Sequence, residues 1–248
     1  MPFFIEMFSG SAKVSRELGR SGFVAMAIDI QFGTDHDLAH GTLPVAIRGW
    51  IMGGLVLGVH MGTPCTSWSR ARMRPGGPQM LRNPTEIMGL ATLKHESERW
   101  KITLGNVTMR NSCSVALCAL QHIVPMVIEN PFMSMLWLAP SMLHVAARRA
   151  TCVVRVDFCQ YGTAWMKPTK LLGGHIDLTG VARCCHMRKS LCSRTMARHI
   201  LLVGVDKNKV FLTKLAEPYP DLFAKKLGQA FVKAYMTKIG NSITAALK

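Results

Sequence analysis

Acidic side chains are scarce in this chain. Fourteen Asp and Glu stand against thirty Lys and Arg, leaving a formal charge of +16 spread along 248 residues. Such an imbalance calls for a polyanionic partner, with a solvated basic surface or an acidic membrane face as the alternatives. Long apolar runs are missing too. His60 closes the stretch that begins at Trp50, and His122, Glu129 and Asn130 interrupt the later one, so no segment reaches the roughly 18 residues of a membrane-spanning helix. The opening Met1-Pro2-Phe3-Phe4-Ile5-Glu6 has no basic leader region and carries an acid where a signal peptide is apolar. The expected setting is intracellular, nucleus or cytoplasm, with neither membrane nor secretion. There the eight cysteines read as thiols or metal ligands, not disulfides. Repeats and low-complexity tracts are absent. Many α/β folds of this length form one domain, so one main domain with a small appendage is expected.

What is present is strand alternating with helix, the pattern of a parallel sheet. Phe3 to Met7 reads as a buried strand ending in the turn Phe8-Ser9-Gly10-Ser11, before a helix from about Ala12 to Leu18. Phe23 to Ile30 gives a second strand, Val45 to Ile51 a helix, and Leu55 to His60 a third strand. A long helix covers Thr92 to Ile123, followed by strands Val124 to Ile128 and Cys152 to Phe158. Pro218 to Tyr235 reads as a helix with Leu222, Phe223, Leu227, Phe231 and Val232 on one face. Three strand ends then carry polar groups to one edge: Asp29, Cys65 and Glu129. An acid after the second strand is placed to bind the ribose hydroxyls of a nucleoside cofactor, and Gly10 lets backbone approach it. Cys65 sits at the carboxyl end of a strand, in the ligand crevice of such sheets, where a neighbouring cation or helix N-terminus favours a thiolate. Taken alone, a Pro-Cys turn is more often a small buried cysteine.

In chain order, Phe8-Ser9-Gly10, Gly62-Thr63-Pro64-Cys65-Thr66-Ser67-Trp68-Ser69, Glu129-Asn130-Pro131, Tyr161-Gly162 and Gly240-Asn241-Ser242-Ile243 together resemble the cytosine-C5 methyltransferase family. The resemblance spans nearly the whole chain. It implies an α/β, Rossmann-like methyltransferase fold with a mostly parallel sheet and a small Cys/His-containing lobe. It also implies S-adenosylmethionine held by Phe8, Ser9, Gly10, Ser11, Asp29, Asp37 and Pro64, with Asn241 and Ser242 returning to complete the cofactor side. Cys65 would be the nucleophile, Glu129 the acid that engages the base, Asn130 a residue that orients the loop, and Lys167 the replacement for a base-contacting arginine. The chain departs from the family pattern at Ala12, where a second glycine is usual, and at Thr66, where glutamine commonly follows the Pro-Cys pair. Trp165, Lys167 and Thr169-Lys170 stand in place of a Gln and two Arg.

The implied chemistry explains these residue types. C5 of cytosine is a poor nucleophile until a thiolate adds to C6, and a carboxylic acid at N3 relieves the charge that develops on the ring. A base in a duplex must leave its stack for this, so Arg70, Arg72, Arg74 and Arg82 beside the nucleophile are candidate phosphate contacts, or else part of a solvated loop. DNA is the favoured partner. RNA, or a catalytically silent nucleic-acid-binding module of the same fold, is the alternative, and nothing in the sequence points to protein partners.

The chain divides into residues 1–172 for the catalytic domain, 173–210 for a small recognition lobe, and 211–248 for a helix and returning segment. Cys159, Cys184, Cys185, His186, Cys192 and His199 crowd around that lobe. Cys159, Cys185, Cys192 and His199 make the best zinc set. Their spacing matches no common finger and Cys184 competes with Cys185, so unliganded cysteines in a basic loop remain an equal alternative.

Overall fold

Met7, Val59, Met61, Met126, Val127 and Ile128 are fully buried, and the strands that carry them are the continuous apolar runs of a sheet covered on both faces. A computed structural model describes the chain except for residues 74–76, 188–190, 206–207, 209 and 247–248, and except for the side chains of 241–243 and 245–246. Its elements are β1 (Phe3–Met7), α1 (Lys13–Arg20), β2 (Ala25–Ile28), α2 (Leu43–Met52), β3 (Val56–Met61), α3 (Glu96–Gln121), β4 (Met126–Pro131), α4 (Pro140–Ala146), β5 (Thr151–Asp157), β6 (Pro168–Gly174) and α5 (Asp221–Ala246).

The strands form one six-stranded sheet in the order β2-β1-β3-β4-β6-β5. β1 lies parallel to β2 and β3, and β3 parallel to β4, whereas β6 is antiparallel to both β4 and β5. The sheet is therefore mostly parallel, with one reversed strand. Side chains alternate between its faces. Ile5, Met7, Val59, Met61, Met126 and Ile128 pack with Ile47 and Ile51 of α2, Met109 and Val115 of α3, and Met142 and Val145 of α4. Phe4, Val127, Val156 and Leu171 pack on the other face with Val14 and Leu18 of α1 and with Phe223, Leu227 and Phe231 of α5. Each of these large side chains contributes about 2–3 kcal/mol on burial. Pro44 and Pro140 sit in the first turns of α2 and α4, where a missing N–H costs nothing.

β2 and β3 lie on opposite sides of β1, so the loops leaving β1 and β3 diverge at their carboxyl ends. Open α/β sheets leave their ligand crevice at such a switch point. Residues 8–12 and 62–69 flank it.

Several expectations change. Glu129-Asn130-Pro131, read at the end of a strand from Val124, forms the last three residues of β4, which begins at Met126 and pairs them with Leu171, Lys170 and Thr169 of β6. β6 also runs to Gly174, past the boundary drawn at 172. α5 continues unbroken through Asn241 and Ser242. It begins at Asp221, ion-paired with Lys13 at 2.6 Å, and runs down the sheet until Tyr235 packs on Phe4 and Phe23 near the start of β1. At 1.5 Å per residue the helix places Asn241 and Ser242 roughly 9 Å further in the same direction, away from the loops at Gly10 and Asp29. The helix runs on to Ala246 without a break that would bring them back. Among the described residues, no helix is long and apolar enough to cross a membrane.

Candidate active site

After β3 the segment Gly62-Thr63-Pro64-Cys65 passes over the carboxyl edge of the sheet, and its neighbours hold it firmly. Asn130 Nδ2 donates to the Thr63 carbonyl at 2.6 Å, and Thr63 Oγ1 lies 2.9 Å from Ser112 Oγ on α3. The Trp68 N–H donates to the Cys65 carbonyl at 2.9 Å, and the fully buried Trp68 indole donates to the Gly105 carbonyl at 3.3 Å. A Cβ at Gly105 would collide with Ser67 Oγ, so a helix-interior glycine, costing about 1 kcal/mol, lets this loop lie against α3.

Arg82 completes the clamp and corrects its reading as a phosphate contact. Its guanidinium lies 3.5 Å from the centroid of the Trp68 ring and is fully buried. It donates to the carbonyls of Ser67, Ile87 and Ile102 at 3.2, 2.9 and 3.2 Å, to Asn106 Oδ1 at 2.8 Å and to Ser67 Oγ at 3.0 Å. All of these acceptors are neutral, and burial lowers the guanidinium to about 10. Arg72 also braces the loop, donating to the Thr66 carbonyl at 3.0 Å and the Gln79 carbonyl at 2.9 Å. Arg70 is exposed on a short helical turn over Arg70–Met73, and Arg74 lies outside the described residues.

Glu129 is buried on β4, where Tyr219 donates its hydroxyl to Oε2 at 3.0 Å and Oε1 has no partner among the described residues. Burial pushes its carboxyl up, against the opposing pull of the Lys167 charge and the Tyr219 hydrogen bond. The Cys65 thiol is pushed up as well, first by burial and further by Glu129, while Lys167 pulls it down. Lys167 therefore acts on both groups through its charge. Its Nζ donates to the Ala216 carbonyl at 2.7 Å, which anchors the segment that carries Tyr219. The resting pair is thus a thiol beside a carboxyl group biased toward its neutral form, not the ready thiolate that a Pro-Cys loop suggests. Glu6 and His60, cross-strand partners on β1 and β3, are buried on the same side. His60 lies edge-on to Tyr219 with ring centroids 5.4 Å apart, and burial takes the imidazole to about 3, so it is neutral.

The cofactor candidates meet at the neighbouring edge. Asp29 accepts from the Gly10 N–H at 2.8 Å and from the Gln31 N–H at 3.1 Å, and Gln31 Nε2 donates back to the Gly10 carbonyl. The loop turns on three left-handed residues: Phe8 at φ 54°, Gly10 at 49° and Ala12 at 51°. Ala12 thus adopts the conformation expected of the glycine it replaces, at a cost of about 1–2 kcal/mol. Ser9 Oγ is buried without a partner among the described residues, Ser11 is exposed, and Pro64 directly precedes Cys65. Asp37 is taken up by its own turn. Burial raises its carboxyl, but the N–H groups of Ala39 and His40 and the His40 ring outweigh this and hold it below the usual range.

Ligand atoms of Cys159, Cys185, Cys192 and His199 all lie within 4.8 Å of one another. Cys185 Sγ is 3.9 Å from Cys192 Sγ and 3.8 Å from His199 Nε2, against about 3.8 Å between sulfurs around a tetrahedral zinc. Cys184 is turned aside, with its sulfur 3.5 Å from the Arg155 carbonyl, and this resolves the choice between the adjacent pair. Three sulfurs and one imidazole in a mostly buried cluster can hold a metal such as zinc.

No protein-family model and no curated protein matches this chain. The site therefore rests on its own geometry. Tyr219, His60 and Glu6 were not anticipated at it, and Arg82 was anticipated only as a phosphate contact. The one available signal was Pro218-Tyr219-Pro220, a rigid segment placing a lone aromatic just before a helix.

Proposed function

We propose that this chain is an S-adenosylmethionine-dependent methyltransferase of Rossmann-like fold that acts on C5 of cytosine in nucleic acid, with DNA favoured over RNA. The observation that carries this reading is a cysteine held beside a buried, proton-favouring carboxyl group at the ligand edge of a mostly parallel sheet, next to an acid-braced glycine turn. The residues fit a nucleoside cofactor. Among the described residues, Asp29 keeps lone pairs free beside the Gly10 backbone, Ser9 Oγ lacks a partner, and a Cβ at Gly10 would meet nothing within 4 Å. When bound there, S-adenosylmethionine supplies an electrophilic methyl group.

The chain's own residues do the rest. Cys65 gives its proton to solvent water and its sulfur adds to C6, moving electron density toward C5. Glu129 shares its proton with N3, so no full negative charge builds up on the ring. Asn130 holds the loop through Thr63 and touches nothing that reacts. Once C5 carries the methyl group, solvent water takes the C5 proton, the C5–C6 double bond re-forms and the C6–S bond breaks to release the thiolate. A silent binding module would have no use for a buried carboxyl group with one unpartnered oxygen, which is costly to maintain. The test is methyl transfer from radiolabelled cofactor to separate DNA and RNA pools, followed by base analysis. Label in 5-methylcytosine supports the reading and identifies the polymer. Binding to both pools without transfer points to the silent module.

We also infer that Cys159, Cys185, Cys192 and His199 bind one structural zinc that holds the small lobe, since soft ligands at tetrahedral spacing compensate for a segment with little apolar core.

A further inference from the structure

Tyr219 has no place in the chemistry described above, yet the fold provides for it at several points. Its ring is buried among His60, Phe158 and Phe223, with centroids 5.4, 6.2 and 5.3 Å away. Pro218 and Pro220 restrict the backbone on either side of it. The Lys167 ammonium, bonded to the Ala216 carbonyl, anchors the approach three residues earlier. Gly62, the first residue of the nucleophile loop, makes room for the hydroxyl. A Cβ there would stand 2.8 Å from Tyr219 Oη, too close for the hydroxyl to stay, and 3.1 Å from the Phe8 carbonyl, a tight contact. Packing alone would not require the hydroxyl, since phenylalanine fills the same space. Among the described residues the hydroxyl reaches one acceptor, Glu129 Oε2 at 3.0 Å.

We propose that Tyr219 is the positioning residue of Glu129: by donating to Oε2 it makes that oxygen the carbonyl end of the neutral acid and leaves the acid's proton on Oε1. A carboxylic acid has one O–H and one C=O, and the C=O is the better acceptor for a phenol. With Oε2 held as acceptor, Oε1 is the oxygen left to carry and deliver the proton. The Tyr219 proton itself does not transfer, because burial and the neighbouring carboxyl groups raise the phenol well above its ordinary value. His60 sits edge-on beside the phenol with neither ring nitrogen partnered among the described residues, so it does not compete for the hydroxyl. This deepens the methyltransferase reading and rests on it only for what the proton is used for.

The test reads the carboxyl group directly, on the full chain. Infrared difference spectra between the unsubstituted protein and Glu129→Gln isolate the C=O stretch of the protonated acid. In Tyr219→Phe that band should persist but move to higher frequency, because a donated hydrogen bond is lost. Its titration midpoint should rise, because the carboxylate loses a donor. Circular dichroism confirms that the variant is folded. In parallel, formation of a covalent adduct with 5-fluorocytosine DNA should slow by roughly 10- to 100-fold with little change in DNA affinity, the effect of losing a hydrogen bond to an ionisable group. An unmoved band and midpoint in Tyr219→Phe overturn the assignment. A moved band in a protein whose unsubstituted form makes no adduct leaves the positioning intact and rejects the methyltransferase reading alone.

Discussion

Replacing Arg82 separates a phosphate contact from an internal brace. In Arg82→Ala the carbonyls of Ser67, Ile87 and Ile102, Ser67 Oγ and Asn106 Oδ1 all lose their donor, and Trp68 loses a guanidinium 3.5 Å from its ring. Each buried acceptor left unsatisfied costs about 1–3 kcal/mol, and the site relaxes or admits water in part, so the sum is not additive. A loss of about 4 kcal/mol is expected. For a chain of this size that lowers Tm by roughly 8–16 °C. Arg82→Lys keeps the charge but not the fork, and should fall between the two. The salt dependence of DNA binding supplies the contrast. A residue that neutralises a phosphate contributes about 0.9 to the slope of log K against log salt, whereas a buried brace contributes nothing. Scanning calorimetry together with binding titrations at several salt concentrations decides the matter. An Arg82→Ala protein with unchanged Tm and a slope reduced by about one would refute the brace.

Burial pushes both Cys65 and Glu129 above their ordinary values of 9.0 and 4.5, and the proposed reaction needs the first deprotonated while the second keeps its proton. Adduct formation should therefore follow a bell that rises as pH passes the Glu129 value and falls beyond that of Cys65. Glu129→Gln should be slower and lose the alkaline fall, since only thiolate formation remains, and a bell that persists in this variant would contradict the pairing. Zinc should be near stoichiometric by elemental analysis in protein purified without chelator, and Cys185→Ser should abolish it; native protein without zinc, with Cys185 and Cys192 reacting freely with a thiol reagent, would reject the site. Ala12→Gly should raise stability by up to about 1 kcal/mol in urea melts, because relief of left-handed strain at φ 51° exceeds the added chain entropy. A loss of stability would show that the Ala12 methyl makes a contact the loop depends on.

Periodicity and strand-end chemistry were enough to locate β1, β3, β4 and most of α3, and with them Cys65 and Glu129. The four ligands selected from six Cys and His candidates also come together, because a short segment with little core leaves few other places for soft side chains to meet. What stayed hidden depends on three-dimensional contact. Arg82 stands in a loop rich in Arg, Pro and Gly, where arginine is expected in water; only Trp68 and the helix backbone at Gly105 and Ile102 show that it is enclosed. β6 opens on Pro168-Thr169-Lys170 and closes on two glycines, so its apolar content is only Leu171-Leu172, too little for a periodic signal. Tyr219 meets Glu129 across 90 residues of sequence. Asn241 and Ser242 match a motif in order, but helix geometry carries them to the opposite end of the sheet.

The most direct test of the central claim is the intact mass of the protein after incubation with cofactor and an oligonucleotide containing 5-fluorocytosine. Because fluorine at C5 cannot leave as a proton, the sulfur–C6 bond should persist, adding the mass of one methylated strand and mapping to the peptide that holds Cys65. Cys65→Ser should show no such species. An adduct that survives this substitution, or no adduct with either DNA or RNA while both bind, would contradict Cys65 as the nucleophile of a cytosine-C5 transfer.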